Sequence, residues 1–359
     1  MKIGIDISQL IYETGVSVYT ENLVKSILEI DKKNLYTFFC GTLRRREDFN
    51  RFYNLVKNNN TRMLVTPFSP SIADIIWNKI HFMPINLIVG DLDLFHTSDW
   101  TEPRFNGIKV TTVHDFAPIL FESETNPKIV EVHKRRLELV RKESDKIIVP
   151  SISTKNDAIE YGIDEKRIVV IPEAVSANYG KIDKNKIDLV LKKYEISGDY
   201  LVTIGVGGRK NTNLLLKAFS RFKKKYKLVI IGGQNHYQVN GELDNVIFTG
   251  HVNKDEIPAL YSGASAMVYP SLYEGFGLPI LEAMNCGVPV VCSNTSSLPE
   301  VAGDSAVLID PKSLESLVDG IEKVLSKRDF YIKSGKNRSM KFKWSDSAGK
   351  TIQLYESLV

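Results

Sequence analysis

The 359-residue chain is predicted to be an α/β protein built from two Rossmann-like domains with parallel sheets. Three observations predict this. Short apolar runs alternate with amphipathic stretches of helical period from end to end, the pattern of parallel strands joined by crossover helices. The length corresponds to about two domains. A polar stretch from Glu173 to Asp199, with Asn178, Gly180 and a charged run at Lys181–Lys186, interrupts the alternation. It sets the expected boundary, with residues 1–172 in the first domain and 173–340 in the second.

In chain order, the first half predicts strands at Lys2–Ile7, Tyr36–Cys40, Met63–Thr66, Leu94–Thr97, Lys109–Val113 and Lys146–Pro150. Between and after them, helices are expected at Val18–Ile30, Arg46–Lys57, Ile72–Phe82, Lys128–Glu143 and Thr154–Tyr161. The second half predicts strands at Tyr200–Ile204, Lys227–Ile231, Asn245–Phe248, Ala266–Tyr269, Pro289–Ser293 and Ala306–Ile309. Its helices are expected at Asn211–Lys224, Lys254–Tyr261, Pro279–Asn285 and Pro311–Leu325. In the tail, Trp344, Ala348, Ile352 and Tyr355 recur about every four residues, as one apolar helix stripe does.

Composition excludes several classes. The 43% hydrophobic and 25% charged shares are those of an ordinary globular protein. Cys40, Cys286 and Cys292 are too few and too scattered for a disulfide frame or a zinc site, and suit a reducing cytosol. Met1-Lys-Ile-Gly-Ile-Asp begins a strand, so no cleavable signal is expected. No stretch approaches the ~20 apolar residues of a membrane span. A net charge of +4 is too mild to argue for nucleic acid, and it permits contact with an anionic membrane surface. Ile72–Phe82 reads either as an amphipathic surface helix touching lipid or as a helix buried through Trp77.

In facing open α/β sheets, ligands sit beyond the carboxyl ends of the strands. The segments that follow the strands therefore carry the function. After Ala266–Tyr269 comes Pro270-Ser-Leu-Tyr-Glu-Gly-Phe-Gly-Leu-Pro-Ile-Leu-Glu282, then Gly287 and a further strand. The glycines of Glu274-Gly-Phe-Gly277 leave backbone N–H groups at a helix start, which suits an anion. Two acids beside an anion site fit better as acceptors from vicinal hydroxyls of a sugar or ribose.

After Tyr200–Ile204 comes Gly205-Val-Gly-Gly-Arg-Lys-Asn211. Arg209 and Lys210 at a helix start could hold a diphosphate; the plainer alternative is an exposed basic loop capped by Asn211. After Lys109–Val113 come His114 and Asp115. These read as a site histidine with an orienting acid, or as a strand-end pair of structural purpose. Gly15-Val-Ser-Val-Tyr19 lacks the spacing of a dinucleotide fingerprint, which counts against a dehydrogenase.

The Glu274-to-Glu282 spacing around Gly-Phe-Gly-Leu-Pro resembles the signature of glycosyltransferase family 4, the retaining, nucleotide-sugar-dependent enzymes of the GT-B fold. The resemblance continues through Ala283-Met-Asn-Cys-Gly-Val-Pro-Val-Val291, Leu298-Pro-Glu-Val-Ala-Gly303 and Ala306-Val-Leu-Ile-Asp-Pro311. Arg209–Phe219 is similar to the family's Arg-Lys-Asn-x-x-x-Leu-Leu-x-Ala-Phe, and Val113-His-Asp-Phe-Ala-Pro118 to its histidine motif. Ser17 stands where many members have a second glycine.

The resemblance implies two domains facing a central cleft, with the C-terminal helix (341–359) crossing back to the first. It implies a nucleoside diphosphate-sugar donor held in the second domain. Arg209, Lys210 and the N–H groups of Gly275, Phe276, Gly277 and Leu278 would take the diphosphate, Glu282 the ribose and Glu274 the sugar. His114, Glu274, Arg209 and Lys210 are then the catalytic candidates, with Gly15 and Asp115 on the acceptor side. Neither metal nor cofactor is expected. The motifs are most similar to those of bacterial enzymes moving mannose or related hexoses to polysaccharide or lipid-linked acceptors, in the cytoplasm or at the inner membrane face. A GT-B epimerase, a phosphorylase and a silent partner of an active transferase are the alternatives.

Overall fold

The computed structural model describes residues 1–12, 14–233 and 243–359. The chain divides into two compact units, Met1–Glu173 with Trp344–Val359, and Ala174–Lys343.

The first unit holds β1 (Lys2–Asp6), β2 (Leu35–Gly41), β3 (Thr61–Thr66), β4 (Leu94–Ser98), β5 (Ile108–Thr112), β6 (Lys146–Val149) and β7 (Ile168–Val170). They form one sheet in the order β3-β2-β1-β4-β5-β6-β7, and every pairing is parallel. The second unit holds β8 (Tyr200–Ile204), β9 (Lys227–Ile231), β10 (Val246–Phe248), β11 (Ala266–Tyr269), β12 (Val290–Ser293) and β13 (Val307–Ile309). Their order is β10-β9-β8-β11-β12-β13, again parallel throughout. Ile3, Phe38, Phe95, Val110, Ile147, Leu201, Val229, Met267 and Val291 are fully or almost fully buried. Continuous apolar strands of this kind are what a parallel sheet covered on both faces requires. Among the described residues no helix is long and apolar enough to cross a membrane.

Most expected elements are present, and the exceptions have physical causes. β7 is three residues long, too short for periodicity to register. The polar stretch before β8 contains a helix, Lys184–Lys193, capped by Asp183 and buried at Val190; its charged exterior masks the amphipathic period. The helix Arg328–Ser339, also unexpected, buries Tyr331, Gly335 and Ser339 along a single stripe. The expected helix Ile72–Phe82 is a turn of α-helix, Pro70–Ala73, followed by a π-helix, Asp74–Ile80. The reading as a helix buried through Trp77 holds for one face, and the other face is exposed. Trp77 is buried and donates to the Met83 carbonyl (3.1 Å), while Ile72, Ile75, Ile80 and Phe82 are exposed.

The C-terminal helix, Trp344–Glu356, belongs to the first unit. Its buried face is Trp344, Ser347, Ala348, Thr351, Leu354 and Tyr355; Ile352, expected on the stripe, is only half-buried. The Ser347 hydroxyl donates to the Pro172 carbonyl (2.6 Å). The Tyr355 hydroxyl hydrogen-bonds His96 of β4, which also bonds Thr112.

Burial holds the His96 pKa down at about 3 and pushes the Asp6 pKa, at the end of β1, up to about 6. These groups act oppositely on stability. From pH 6.5 down to 3 the unfolded chain binds a proton that folded His96 refuses, so stability falls. From pH 6 down to 3.8 folded Asp6 binds a proton that the unfolded chain does not, so stability rises. Asp6→Asn removes the second effect. Its urea-unfolding free energy should therefore fall more steeply than wild type between pH 6 and 4, by about 1 kcal/mol per pH unit.

Candidate active site

In the second sheet β8 and β11 are adjacent, with Leu201 opposite Ala266. They flank the point where strand order reverses, so the loops after them open the crevice in which open α/β sheets bind ligands. The two loops are joined directly. The Leu272 N–H donates to the Arg209 carbonyl, and Arg209 Nη1 donates to the Tyr273 carbonyl, both at 2.8 Å. Gly205 has φ +86°, and a Cβ there would approach Lys210 Cε to 3.0 Å; its absence leaves room for the lysine stem.

This geometry brings Arg209, Lys210 and Glu274 together. Lys210 Nζ lies 2.6 Å from Glu274 Oε1, and Arg209 Nη1 lies 3.2 Å from Oε2. The Tyr269 hydroxyl, at the end of β11, donates to Glu274 Oε1 (2.8 Å) and accepts from Lys210 Nζ (2.7 Å). Burial alone would raise the Glu274 pKa; the charges of Lys210 and Arg209 reverse that and hold it at about 2. Glu274 is thus ionised across the neutral range, beside two cations suited to a diphosphate. Asn211 stands at the helix start in the left-handed conformation (φ +57°) and does not cap with its side chain, which donates to the Pro311 carbonyl instead (2.7 Å).

The Glu274 loop is clamped by the segment after β12. Ser296 Oγ accepts from the Glu274 N–H (3.1 Å), and Thr295 Oγ1 donates to the Leu272 carbonyl (3.1 Å). Ser297 Oγ lies 2.9 Å from the Glu274 carbonyl and 2.7 Å from that of Phe276. Ser296 has φ +52°, a strained backbone of the sort concentrated at functional sites. Gly277 has φ +101°, and a Cβ there would strike Leu298 at 2.6 Å. The helix that follows is Leu278–Asn285. The Phe276 side chain is buried edge-on to Phe342 (5.8 Å between centroids), and Leu278 is buried as well. Glu282 is buried in the helix with a different partner, Tyr179. Burial, then Glu282, raise the Tyr179 pKa, and Asn285 Nδ2 fixes the Tyr179 carbonyl (2.8 Å).

In the first unit His114 follows β5. The carboxylate that orients it is Glu173, 3.3 Å from Nδ1, rather than the neighbouring Asp115. Asp115 accepts from the Ala117 N–H (2.9 Å) and starts the next helical turn, Ala117–Leu120. Tyr19 meets the His114 ring edge-on (4.6 Å), and Trp344 of the C-terminal helix backs Tyr19 (5.6 Å). Burial lowers the His114 pKa, but the Glu173 hydrogen bond and the charges of Asp99, Glu173 and Asp115 outweigh it, leaving a net rise. Nε2 is buried with no partner among the described residues.

Gly15 opens the helix Gly15–Ile30, where a Cβ would meet nothing within 4 Å. Ser17 serves the structure of that helix. It forms a capping box with Thr14 and donates to the Gln9 carbonyl (2.7 Å). Sequence reasoning missed Glu173, Tyr19, Tyr179, Tyr269 and the Thr295–Ser297 clamp. The signal for Glu173 was its place just past β7, a strand too short to show a period.

Among the described residues no cluster of three or more His, Cys, Asp or Glu is arranged to hold a metal. The Asp91-Leu-Asp93 pair precedes β4 at the amino end of the first sheet, where Asp93 Oδ2 accepts from the Lys2 N–H (2.7 Å).

Two parallel-sheet α/β units with a cationic pair at the second sheet's switch point define a glycosyltransferase of the GT-B fold. Residues 14–179 match the family described as Glycosyltransferase Family 4, and residues 192–340 match Glycosyl transferases group 1. O-antigen chain mannosyltransferase B of Escherichia coli is 32% identical over 290 residues, 74% of this chain and 74% of that protein. The serotype-specific mannosyltransferase WbdA of Escherichia coli is 29% identical over 273 residues, 70% of this chain but 33% of that longer protein. The crystal structure of HepE from Anabaena, in complex with UDP and glucose, superposes with a TM-score of 0.71 at 16% identity, covering 100% of both chains. The chain belongs to glycosyltransferase family 4.

The clamp generates a stability prediction. Ser297→Ala removes the one hydroxyl hydrogen that the Glu274 and Phe276 carbonyls share and should cost about 1–3 kcal/mol in urea unfolding.

Proposed function

We propose that this glycosyltransferase moves a hexose, mannose foremost, from a nucleoside diphosphate-sugar to a hydroxyl of a glycan or lipid-linked acceptor in cell-surface polysaccharide synthesis. The observation that carries the reading is the Arg209–Lys210–Glu274 cluster at the switch point of the second sheet. The mannosyltransferase named among the relatives supports the sugar, and the UDP and glucose in the Anabaena structure support the donor class.

In this reading the diphosphate takes Arg209 and Lys210, aided by the N–H groups of Gly275–Leu278 at the helix start. Glu274, freed from part of its ion pair, turns to the sugar hydroxyls. Glu282, held by Tyr179, takes the ribose. Transfer proceeds with retention. The carboxylates bind hydroxyls, and the developing charge on the leaving diphosphate is met by the two cations without a metal. His114, protonated through Glu173, donates from Nε2 to the sugar or acceptor. Gly15 leaves open backbone on the acceptor side, and Asp115 contributes there by its field on His114.

The enzyme works in the cytoplasm, peripherally at the membrane. Exposed Ile72, Ile75, Ile80 and Phe82, with Lys79 among them, offer a lipid-facing surface.

The direct test is transfer or hydrolysis of GDP-, UDP- and dTDP-linked hexoses; no sugar moved from any donor would defeat the reading. Lys210→Ala should lower turnover well over tenfold and weaken nucleoside diphosphate binding. Glu274→Gln should lower turnover comparably yet bind free nucleoside diphosphate several-fold more tightly in calorimetry, because the resident counter-charge is gone. His114→Ala should reduce kcat more than donor affinity. Since the active form of His114 is protonated and its pKa is raised, wild-type kcat should decline as pH rises past that pKa, and His114→Gln should lack that limb.

A further inference from the structure

Tyr269 lies outside the acid pair, the basic pair and the glycine loop, yet it touches both charges of the cluster. It is the last residue of β11, with its ring almost fully buried. Its position is set by the sheet. β11 runs between β8 and β12, with Met267 opposite Val202 and Tyr269 opposite Cys292. The hydroxyl therefore sits at the end of a strand paired on both sides, whereas Lys210 and Glu274 stand in loops. It donates to Glu274 Oε1 at 2.8 Å and accepts from Lys210 Nζ at 2.7 Å, closing a triangle with the 2.6 Å Lys210–Glu274 contact. A lysine on a four-carbon stem has many rotamers, and a hydrogen bond to one buried hydroxyl reduces them.

We infer that Tyr269 is a positioning residue for the transfer reaction. It holds the Lys210 ammonium where the leaving diphosphate develops charge. This rests on the function proposed above.

The test is a double-mutant cycle on kcat with the active donor, using Tyr269→Phe, which removes only the hydroxyl, and Lys210→Met, which keeps the stem. Tyr269→Phe should lower kcat about tenfold, the scale of one hydrogen bond to a charged group, with donor KM changed less than about threefold. In the Lys210→Met background Tyr269→Phe should change kcat less than about twofold, because the group it acts through is absent. Equal fold-losses in both backgrounds mean that the ring serves packing alone and overturn the inference. So does a Tyr269→Phe enzyme as active as wild type. A Tyr269→Phe protein that does not fold is replaced by Tyr269→His, which retains a polar ring atom; full additivity with Lys210→Met has the same meaning there. A wild type that transfers no sugar from any donor overturns the proposed function and this inference with it, whereas an active wild type with an additive cycle overturns the inference alone.

Discussion

Glu274 is a carboxylate largely but not wholly removed from water, and the loops around it are organised around the cost of doing so. An unpaired buried charge costs several kcal/mol or is neutralised by proton uptake. Here Lys210 and Arg209 compensate it so fully that its pKa is driven down to about 2. Each compensating group has its own structural requirement. Lys210 needs the missing side chain of Gly205, and Arg209 is tied to the Leu272–Tyr273 backbone. The Glu274 loop needs the left-handed turn at Gly277 and the hydroxyls of Thr295, Ser296 and Ser297. The ion pair and the loop geometry are therefore one construction, in which Arg209 and Lys210 already hold a counter-charge. Donor binding in the proposed function is then an exchange of anions rather than the filling of an empty site, and it releases Glu274 for the sugar.

The first unit solves a related problem with a histidine. His114 is buried, which disfavours its charged form, and Glu173 restores it. The C-terminal helix contributes from behind, since Trp344 packs on Tyr19 and Tyr19 on the His114 ring. Tyr355 of the same helix bonds His96, which is instead held neutral. Two histidines one strand apart are thus driven in opposite directions by what faces them. One has a carboxylate, the other a tyrosine and a threonine.

The architecture was legible because parallel strands buried on both faces are continuous apolar runs, and because crossover helices carry a clear amphipathic period. Legibility failed where those signals were short or masked, as at the three-residue β7 and in the charged helix Lys184–Lys193. The segment around Trp77 could not be resolved into one reading because its two faces do different things. In the candidate site, Arg209, Lys210 and Glu274 were legible as residue types suited to a phosphate and to hydroxyls. Their direct contact was not, since 64 positions of chain separate Lys210 from Glu274.

By itself the sequence determined two parallel-sheet domains and the kinship with family 4, because local period and motif spacing are properties of neighbouring residues. Tertiary structure decided which charges meet. It assigned His114 to Glu173 rather than Asp115, gave Glu282 to Tyr179, and set Tyr269 between Lys210 and Glu274. Those pairings follow from strand order and register, which bring distant strand ends side by side, and from the exclusion of water that makes each buried charge find a partner.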